Sequence, residues 1–258
     1  MNYIGIDIGS TCAKTVVLNE KKEIIQEFVQ PTGWSSVDTA EEIHQKLQLA
    51  GINLSDDSSC CVATGYGRIS VPYADKTVTE ITCHALGAVH LFQQPDLTVI
   101  DIGGQDTKII QIEQGFVKDF IMNDKCAAGT GRFLEVMANT LSLRPNEMFD
   151  LARLGSDTTI SSMCTVFAES EVIGLIGKGE PKENIAYAVV NSTIRKVAAQ
   201  VSRMNGEMST FCLTGGLCEC EYIREALSKE LGKDVFSCPD ARYAGAIGAA
   251  LSAMKVRR

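Results

Sequence analysis

Apolar residues run almost unbroken through Tyr3-Ile-Gly-Ile-Asp-Ile8 and Thr15-Val-Val-Leu18, with only small and polar residues between them. The same texture returns at Leu97-Thr-Val-Ile-Asp-Ile102 and Thr107-Lys-Ile-Ile-Gln-Ile112. Short apolar runs closed off by turn-forming residues are the pattern of buried strands. The pattern predicts two β-hairpins, with strands at 3–8 and 14–18 in the first and at 97–102 and 105–112 in the second. Between them, Ile24–Val29 reads as a strand, 36–50 as a helix, 58–64 as a strand and 79–93 as a helix. Beyond the second hairpin come a strand near 115–121 and helices at about 129–141, 145–154, 166–176 and 181–203. Strand, helix and strand succeed one another up to 236, and the small-residue run Pro239–Leu251 closes the chain as a helix. Strands interleaved with helices argue for mixed α/β sheets rather than a bundle or sandwich. No Pro/Gly/Ser-rich linker divides the halves. Two lobes are expected, 1–95 with 241–258 and 96–240, hinged within one unit.

The hairpins share more than their outline. Asp7-Ile-Gly-Ser-Thr-Cys-Ala-Lys14 and Asp101-Ile-Gly-Gly-Gln-Asp-Thr-Lys108 have one Asp-Ile-Gly-x4-Lys frame. Small residues at a tight bend let backbone N–H groups approach an anion closely. Asp7 and Asp101 fall at equivalent strand ends, and two carboxylates facing a shared cleft would suit Mg²⁺ with its waters and phosphate. A single hairpin of this kind could be an ordinary turn, but two in one frame point to phosphate handling.

The nucleotide is not held in the Walker manner, since no Gly-x4-Gly-Lys-Ser/Thr occurs, and no Gly-x-Gly-x-x-Gly opens a helix after a strand. The duplication instead resembles the superfamily of actin, hexokinase, acetate kinase and the heat-shock chaperone ATPases. That resemblance implies two ribonuclease H-like α/β lobes with Mg-ATP in the cleft between their phosphate hairpins. Phe211-Cys-Leu-Thr-Gly-Gly-Leu217, with Gly215 and Gly216, is similar to the superfamily's adenosine motif. The Pro239–Leu251 helix is similar to the one that crosses between the lobes, and its composition suits a tightly packed core helix equally well.

Bulk properties agree. The 258 residues suffice for two compact halves, and 45% hydrophobic with 22% charged residues is a globular composition. A net charge of −8 argues against nucleic acid as the main partner, and the one basic cluster, Lys255-Val-Arg-Arg258, reads as a solvated tail. No apolar stretch approaches the roughly 20 residues of a membrane span. The chain enters a strand directly with no signal peptide, so a cytoplasmic protein is expected.

Ten cysteines in a reducing compartment argue for metal or redox chemistry rather than disulfides, although no Cys-x-x-Cys pair occurs. Cys12, Cys60, Cys61 and Cys212 lie in or beside apolar strands and Cys83 in a helix, so packing explains them. Cys218 and Cys220 near a helix start, and Cys238 before a proline, are weaker metal candidates. Cys126 and Cys164 are set apart by the segments they lead into, Ala-Ala-Gly-Thr-Gly-Arg-Phe-Leu-Glu135 and Thr-Val-Phe-Ala-Glu-Ser-Glu171. Each thiol precedes an expected helix, whose N-terminal N–H groups and partial positive charge would suit an anionic iron–sulfur cluster. A [4Fe–4S] cube commonly takes four cysteines, so two per chain imply a symmetric dimer with the metal on its two-fold axis.

At these residues the resemblance narrows. Asn123-Asp-Lys-Cys-Ala-Ala-Gly-Thr-Gly-Arg-Phe-Leu-Glu135 and Ser162-Met-Cys-Thr-Val-Phe-Ala-Glu-Ser-Glu171 are similar to the activators of 2-hydroxyacyl-CoA dehydratases and the related ATPase subunits of benzoyl-CoA reductases. The resemblance spans nearly the whole chain. It implies a homodimeric ATPase with one bridging [4Fe–4S] cluster, Cys126 and Cys164 of each subunit as ligands, and a reduced ferredoxin or flavodoxin as donor. The acceptor it implies is a 2-hydroxyacyl-CoA dehydratase or a related double-cluster protein, reached by one low-potential electron per ATP-driven step.

Gly9, Ser10, Thr11, Gly103 and Gly104 are then expected to cradle phosphates, with Lys14 as counter-charge and Asp7 and Asp101 on hydrated Mg²⁺. Gln105 is the candidate for positioning the attacking water, and Glu80 is an alternative base. His44, His84 and His90 show no metal spacing and read as surface or helix-packing residues, and Trp34 as a loop anchor. A small-molecule kinase or a chaperone-like ATPase of the same fold would leave Cys126 and Cys164 without a use.

Overall fold

The computed structural model describes residues 1–54, 56, 58–161, 164–205 and 210–256. Ser162 and Met163 of the second cysteine motif, and the last two residues of the basic tail, lie outside the described residues. Two compact units emerge, each built on one five-stranded sheet. The first holds Met1–Leu97, Ile112–Lys118 and the stretch from Asp240 onward, and the second holds Thr98–Gln111 and Asp119–Pro239. Ile112–Lys118 thus group with the first unit, not with the contiguous 96–240 lobe expected from the sequence. Two hydrogen bonds explain it: Gly115 N donates to Pro95 O at 2.8 Å and Gln114 N to the Asp96 side-chain Oδ1 at 2.7 Å.

The first unit contains β1 (Asn2–Ile8), β2 (Cys12–Leu18), β3 (Ile24–Pro31), α1 (Ser36–Leu49), β4 (Ser59–Thr64), β5 (Lys76–Thr77) and α2 (Glu80–Phe92). Its sheet runs β3-β2-β1-β4-β5, with β1 antiparallel to β2 and parallel to β4. Strand alternation sends Ile4, Ile6 and Ile8 to one face, against Ala40, Ile43 and Leu47 of α1. Val16 and Leu18 meet Ala246, Ile247 and Ala250 of the C-terminal helix on the other face. Each fully buried aliphatic side chain here contributes roughly 1.5–3 kcal/mol. Ser35 caps α1 by accepting from Asp38 N at 3.2 Å. Trp34 beside it is fully exposed and anchors nothing, which corrects the sequence expectation. The two-residue β5 was too short to leave a periodic signal.

The second unit is built on β6 (Leu97–Ile102), β7 (Thr107–Glu113) and β8 (Phe116–Asn123), apart from the Leu97 and Ile112–Lys118 ends that group with the first, followed by α3 (Gly131–Thr140), α4 (Pro145–Ala152), α5 (Thr165–Gly177), α6 (Lys182–Val201), β9 (Thr210–Gly215), α7 (Glu221–Leu231) and β10 (Val235–Phe236). Its sheet order is β10-β9-β6-β7-β8, with β9 and β10 parallel. After a 3₁₀ turn at Pro239–Tyr243, α8 (Ala244–Val256) returns the chain to the first unit. Its small residues are the reason it fits: Cβ atoms on Gly5, Gly87 or Gly248 would run into the backbone of Ala246, Ala244 and Cys83 respectively. Helix and sheet therefore touch backbone to backbone.

Candidate functional site

The first turn closes with Gly9 N donating to Cys12 O at 3.1 Å, and the second with Gly103 N donating to Asp106 O at 2.9 Å. Those two amides are thereby spent on the hairpins. The N–H groups not used in closing the turns belong to Ser10 and Thr11 in one and Gly104 and Gln105 in the other. Ser10, Thr11 and Gln105 are exposed, and Gly103 and Gly104 half-buried.

Behind each turn lies a buried aspartate, Asp7 on β1 and Asp101 on β6. Their surroundings match in a way the hairpin motif did not reveal. The strands β4 and β9 both end in Thr-Gly, at Thr64-Gly65 and Thr214-Gly215. Gly65 has φ +84° and Gly215 φ +83°, a left-handed conformation that suits glycine. A Cβ on Gly215 would lie 2.5 Å from Asp101 Oδ1 and 2.6 Å from Ile102 O, and one on Gly65 would lie 2.5 Å from Ile8 O and crowd Asp7. Thr214 Oγ1 also donates to Asp101 Oδ1 at 3.2 Å. The recurring Thr-Gly after an apolar strand was a readable signal in the sequence. Gly216, next along, is exposed with open space around it.

The lysines of the shared frame diverge. Asp7 and Lys14 face each other across β1 and β2, and Lys14 is half-buried with no ion pair among the described residues. Lys108 is buried, with Nζ 3.3 Å from Asp101 Oδ2 and 2.8 Å from Asp106 Oδ2. Burying an ammonium requires such partners. Lys108 is thus neutralised within the protein, and no such partner is seen for Lys14 among the described residues. Position 106 is an acid in the second copy, where the first has Cys12.

His84 is a site residue that its sequence spacing did not single out. It is buried on α2, one turn beyond the half-buried Glu80 that opens the helix. A Cβ on Gly245 would come 2.5 Å from Asp7 Oδ2 and 3.1 Å from His84 Cε1, so α8 presents bare backbone where Asp7 and His84 converge. The i, i+4 spacing of Glu80 and His84 at a helix start was the available clue.

Among the ten cysteines, Cys126 and Cys164 are the exposed ones, and the others are buried or half-buried. Burial pushes the Cys83 and Cys212 thiols up to about 12, and Cys61 higher still. Cys164 is the N-cap of α5, as expected. Cys126 is not at a helix start, for the N-cap of α3 is Thr130. The first amides of α3 are committed elsewhere: Gly131 N donates to Gly103 O at 2.9 Å and Arg132 N to Gly104 O at 2.7 Å. The Cys126 loop is fixed instead by Asn123, whose Nδ2 donates to Cys126 O at 2.8 Å and Ala128 O at 3.0 Å. Ser161, just ahead of Cys164, is held by Glu171 of α5 through its N–H at 3.1 Å and its hydroxyl at 3.2 Å. Thr140 at the end of α3 donates to Glu169 of α5 at 3.1 Å, tying the two cysteine-bearing regions together.

Two mixed α/β units, each opening on a small-residue hairpin backed by a buried aspartate, define an ATPase of actin-like fold. The chain belongs to the BadF/BadG/BcrA/BcrD ATPase family, whose pattern it matches over residues 4–253. It is 43% identical to the (R)-2-hydroxyglutaryl-CoA dehydratase activating ATPase of Acidaminococcus fermentans, over 98% of this chain and 96% of that one. It is 40% identical to the activator of lactoyl-CoA dehydratase of Anaerotignum propionicum, over 98% and 97% of the two chains. The solved activator of the 2-hydroxyisocaproyl-CoA dehydratase from Clostridium difficile with bound ADPNP superposes with a TM-score of 0.89 at 35% identity, covering 99% of this chain and 95% of that one. As a member of an ATPase family, the chain is an ATP-binding enzyme. Among the described residues no helix is long and apolar enough to cross a membrane.

Proposed function

We propose that this protein is an ATP-hydrolysing activator that delivers single low-potential electrons to a 2-hydroxyacyl-CoA dehydratase or a related double-cluster enzyme. The observation that carries the reading is the exposure of Cys126 and Cys164 in a chain whose other cysteines are withdrawn from solvent. A kinase of this fold has no use for two exposed thiols, each at the head of a segment fastened by a dedicated side chain, Asn123 or Glu171.

The donor set fits a [4Fe–4S] cluster shared by two subunits. Cys126 and Cys164 supply half the usual four thiolates, and a second copy of the chain supplies the rest. Helix α5, which Cys164 caps, leaves Val166, Phe167, Ile173 and Ile176 exposed, as a helix that meets another copy would. When bound, the cluster provides a one-electron carrier. Reduced ferredoxin or flavodoxin is the proposed donor, and the cytoplasm the proposed compartment.

The protein's own residues act on the nucleotide. Ser10, Thr11, Gly104 and Gln105 offer backbone N–H groups and hydroxyls to phosphate on turns that Gly9 and Gly103 close, and Lys14 supplies positive charge. Asp7 and Asp101 would hold hydrated Mg²⁺, and Gly216, with open space around it beside the tightly packed Gly215, leaves room for adenosine. Exposed Gln105 at the tip of the second turn positions the water that attacks the γ-phosphate, with Glu80 as the alternative base. Phosphate goes to water, and the free energy of that hydrolysis supplies the work.

Iron and sulfide analysis of anaerobically purified protein tests the proposal. About four iron per dimer is expected, with Cys164→Ala losing the iron and weakening the dimer while still binding ATP. An iron-free monomer that phosphorylates a metabolite would overturn it.

A further inference from the structure

The two phosphate turns are copies, and they differ in what braces them from behind. In the first, Gly9 O accepts from Thr32 Oγ1 at 2.7 Å and Thr11 O from Thr32 N at 2.9 Å. That brace, just past β3, leads only into α1. In the second, Gly103 O and Gly104 O accept from Gly131 N and Arg132 N, the first residues of α3. A third bond joins the same two segments: Thr107 Oγ1, fully buried at the start of β7, donates to Gly129 O at 2.6 Å. Aligning the Asp-Ile-Gly-x4-Lys frames sets Ala13 at the place of Thr107. The hydroxyl therefore belongs to the second copy alone.

Gly129 sits in the loop that runs from Cys126 to α3, whose first residue is Gly131, and that loop has little slack. Thr130 Oγ1 donates to Ala127 O at 2.6 Å, and Asn123 Nδ2 holds Cys126 O and Ala128 O together. Gly131 lies so near the turn that a Cβ on it would be 3.2 Å from Gly103 O. From Gly104 to Cys126 the path runs through hydrogen bonds joined by short lengths of backbone, all within one unit. A shift of the turn must either move the Cys126 backbone or break one of these bonds.

We propose that Thr107 is a positioning residue that makes the Cys126 loop follow the state of the second phosphate turn. This rests on the proposed function in one respect, that Gly104 and Gln105 meet the nucleotide's phosphates. Phosphate drawing on those amides displaces the turn's carbonyls, and the carbonyls carry α3 and Gly129 with them. Thr107 keeps the loop seated on β7 during that movement, so that displacement reaches Cys126 instead of dissipating in the glycines.

Amide hydrogen exchange over residues 126–134, read on the as-purified protein with and without ADP–aluminium fluoride, tests the proposal. In the wild type the nucleotide is expected to change exchange at Gly131 and Arg132. Thr107→Val, isosteric but lacking the donor, should bind the nucleotide within about twofold of wild type, with the nucleotide-dependent change reduced about fivefold, which is the factor one neutral hydrogen bond corresponds to. Thr107→Ser should restore it. The rate at which a ferrous chelator strips iron should lose its nucleotide dependence in parallel. Equal responses in wild type and Thr107→Val, or no response at Gly131 and Arg132 in the wild type, would overturn the proposal. Iron-free protein that keeps the Thr107-dependent exchange response would refute the proposed electron-transfer function and uphold the coupling.

Discussion

Lys108→Met isolates the ionic cluster behind the second phosphate turn. The ammonium lies 2.8 Å from Asp106 and 3.3 Å from Asp101. At an effective dielectric of about 20 these separations correspond to about 5–6 kcal/mol of attraction each, before desolvation is counted. The measured cost of deleting one partner of a buried pair is about 3–5 kcal/mol, because the remaining charge stays buried without compensation. The Asp106 side chain is 27% exposed and can turn toward water, whereas Asp101 is only 4% exposed and cannot. The lower end, about 3 kcal/mol, is therefore expected. With a urea m-value of about 3 kcal/mol/M, the unfolding midpoint should fall by about 1 M. Lys14→Met, at the equivalent position but without an ion pair among the described residues, should cost less than about 1 kcal/mol and should instead weaken ATP binding. Urea titrations of both variants, followed by circular dichroism, make the comparison. Similar small midpoint shifts would refute the argument that protein carboxylates hold Lys108 while Lys14 is left for phosphate.

Gly215→Ala places a Cβ against Asp101 and Ile102 at φ +83°, so it should destabilise by at least about 2 kcal/mol, and a melting temperature equal to wild type would contradict the close approach. Gln105→Ala should slow ATP hydrolysis far more than it weakens ATP binding, and steady-state kinetics beside equilibrium binding would demote Gln105 to a binding residue if both fell equally. Iodoacetamide at about pH 8 should label Cys126 and Cys164 first, since a thiol near 12, as at Cys83 and Cys212, is thiolate only about one part in ten thousand of the time; mass mapping that finds Cys83 labelled early would contradict its burial. Bound iron should protect Cys126 and Cys164 from the same reagent, and chelation should restore labelling at those two positions together.

The hairpins, nearly every helix and the α/β class were legible because apolar periodicity and a repeated frame are local properties. Features that arise from distant segments meeting were not. The Thr-Gly pairs at 64–65 and 214–215 recur in the sequence, but what they brace becomes visible only when β4 and β9 arrive beside β1 and β6. His84 read as a packing residue because nothing in α2 announces that Gly245 will open space between it and Asp7. Cys126 was set at a helix start by its sequence neighbours, yet the α3 amides go to carbonyls on a turn far back along the chain. Trp34 failed in the opposite sense, since a large aromatic in a loop suggests burial and no neighbour covers it. The division at Ile112–Lys118 came from two hydrogen bonds, to the Pro95 carbonyl and the Asp96 carboxylate, that no composition could foretell.

The return of α8 to the first unit has a consequence for synthesis. The sheet β3-β2-β1-β4-β5 gains most of the cover on its second apolar face from α8, through Ala246, Ile247, Ala249, Ala250 and Ala253. All five of its strands have been made by Thr77, long before those residues exist. At a translation rate of about 5–20 residues per second, the sheet waits on the order of ten seconds before α8 can complete the cover of Val16 and Leu18. The second unit, complete in sequence by Pro239, can finish folding while the first is still waiting. The part of the chain made first is thus the last to become native. A truncation that removes α8 should leave an N-terminal fragment that holdase chaperones retain, although every strand of its sheet is intact.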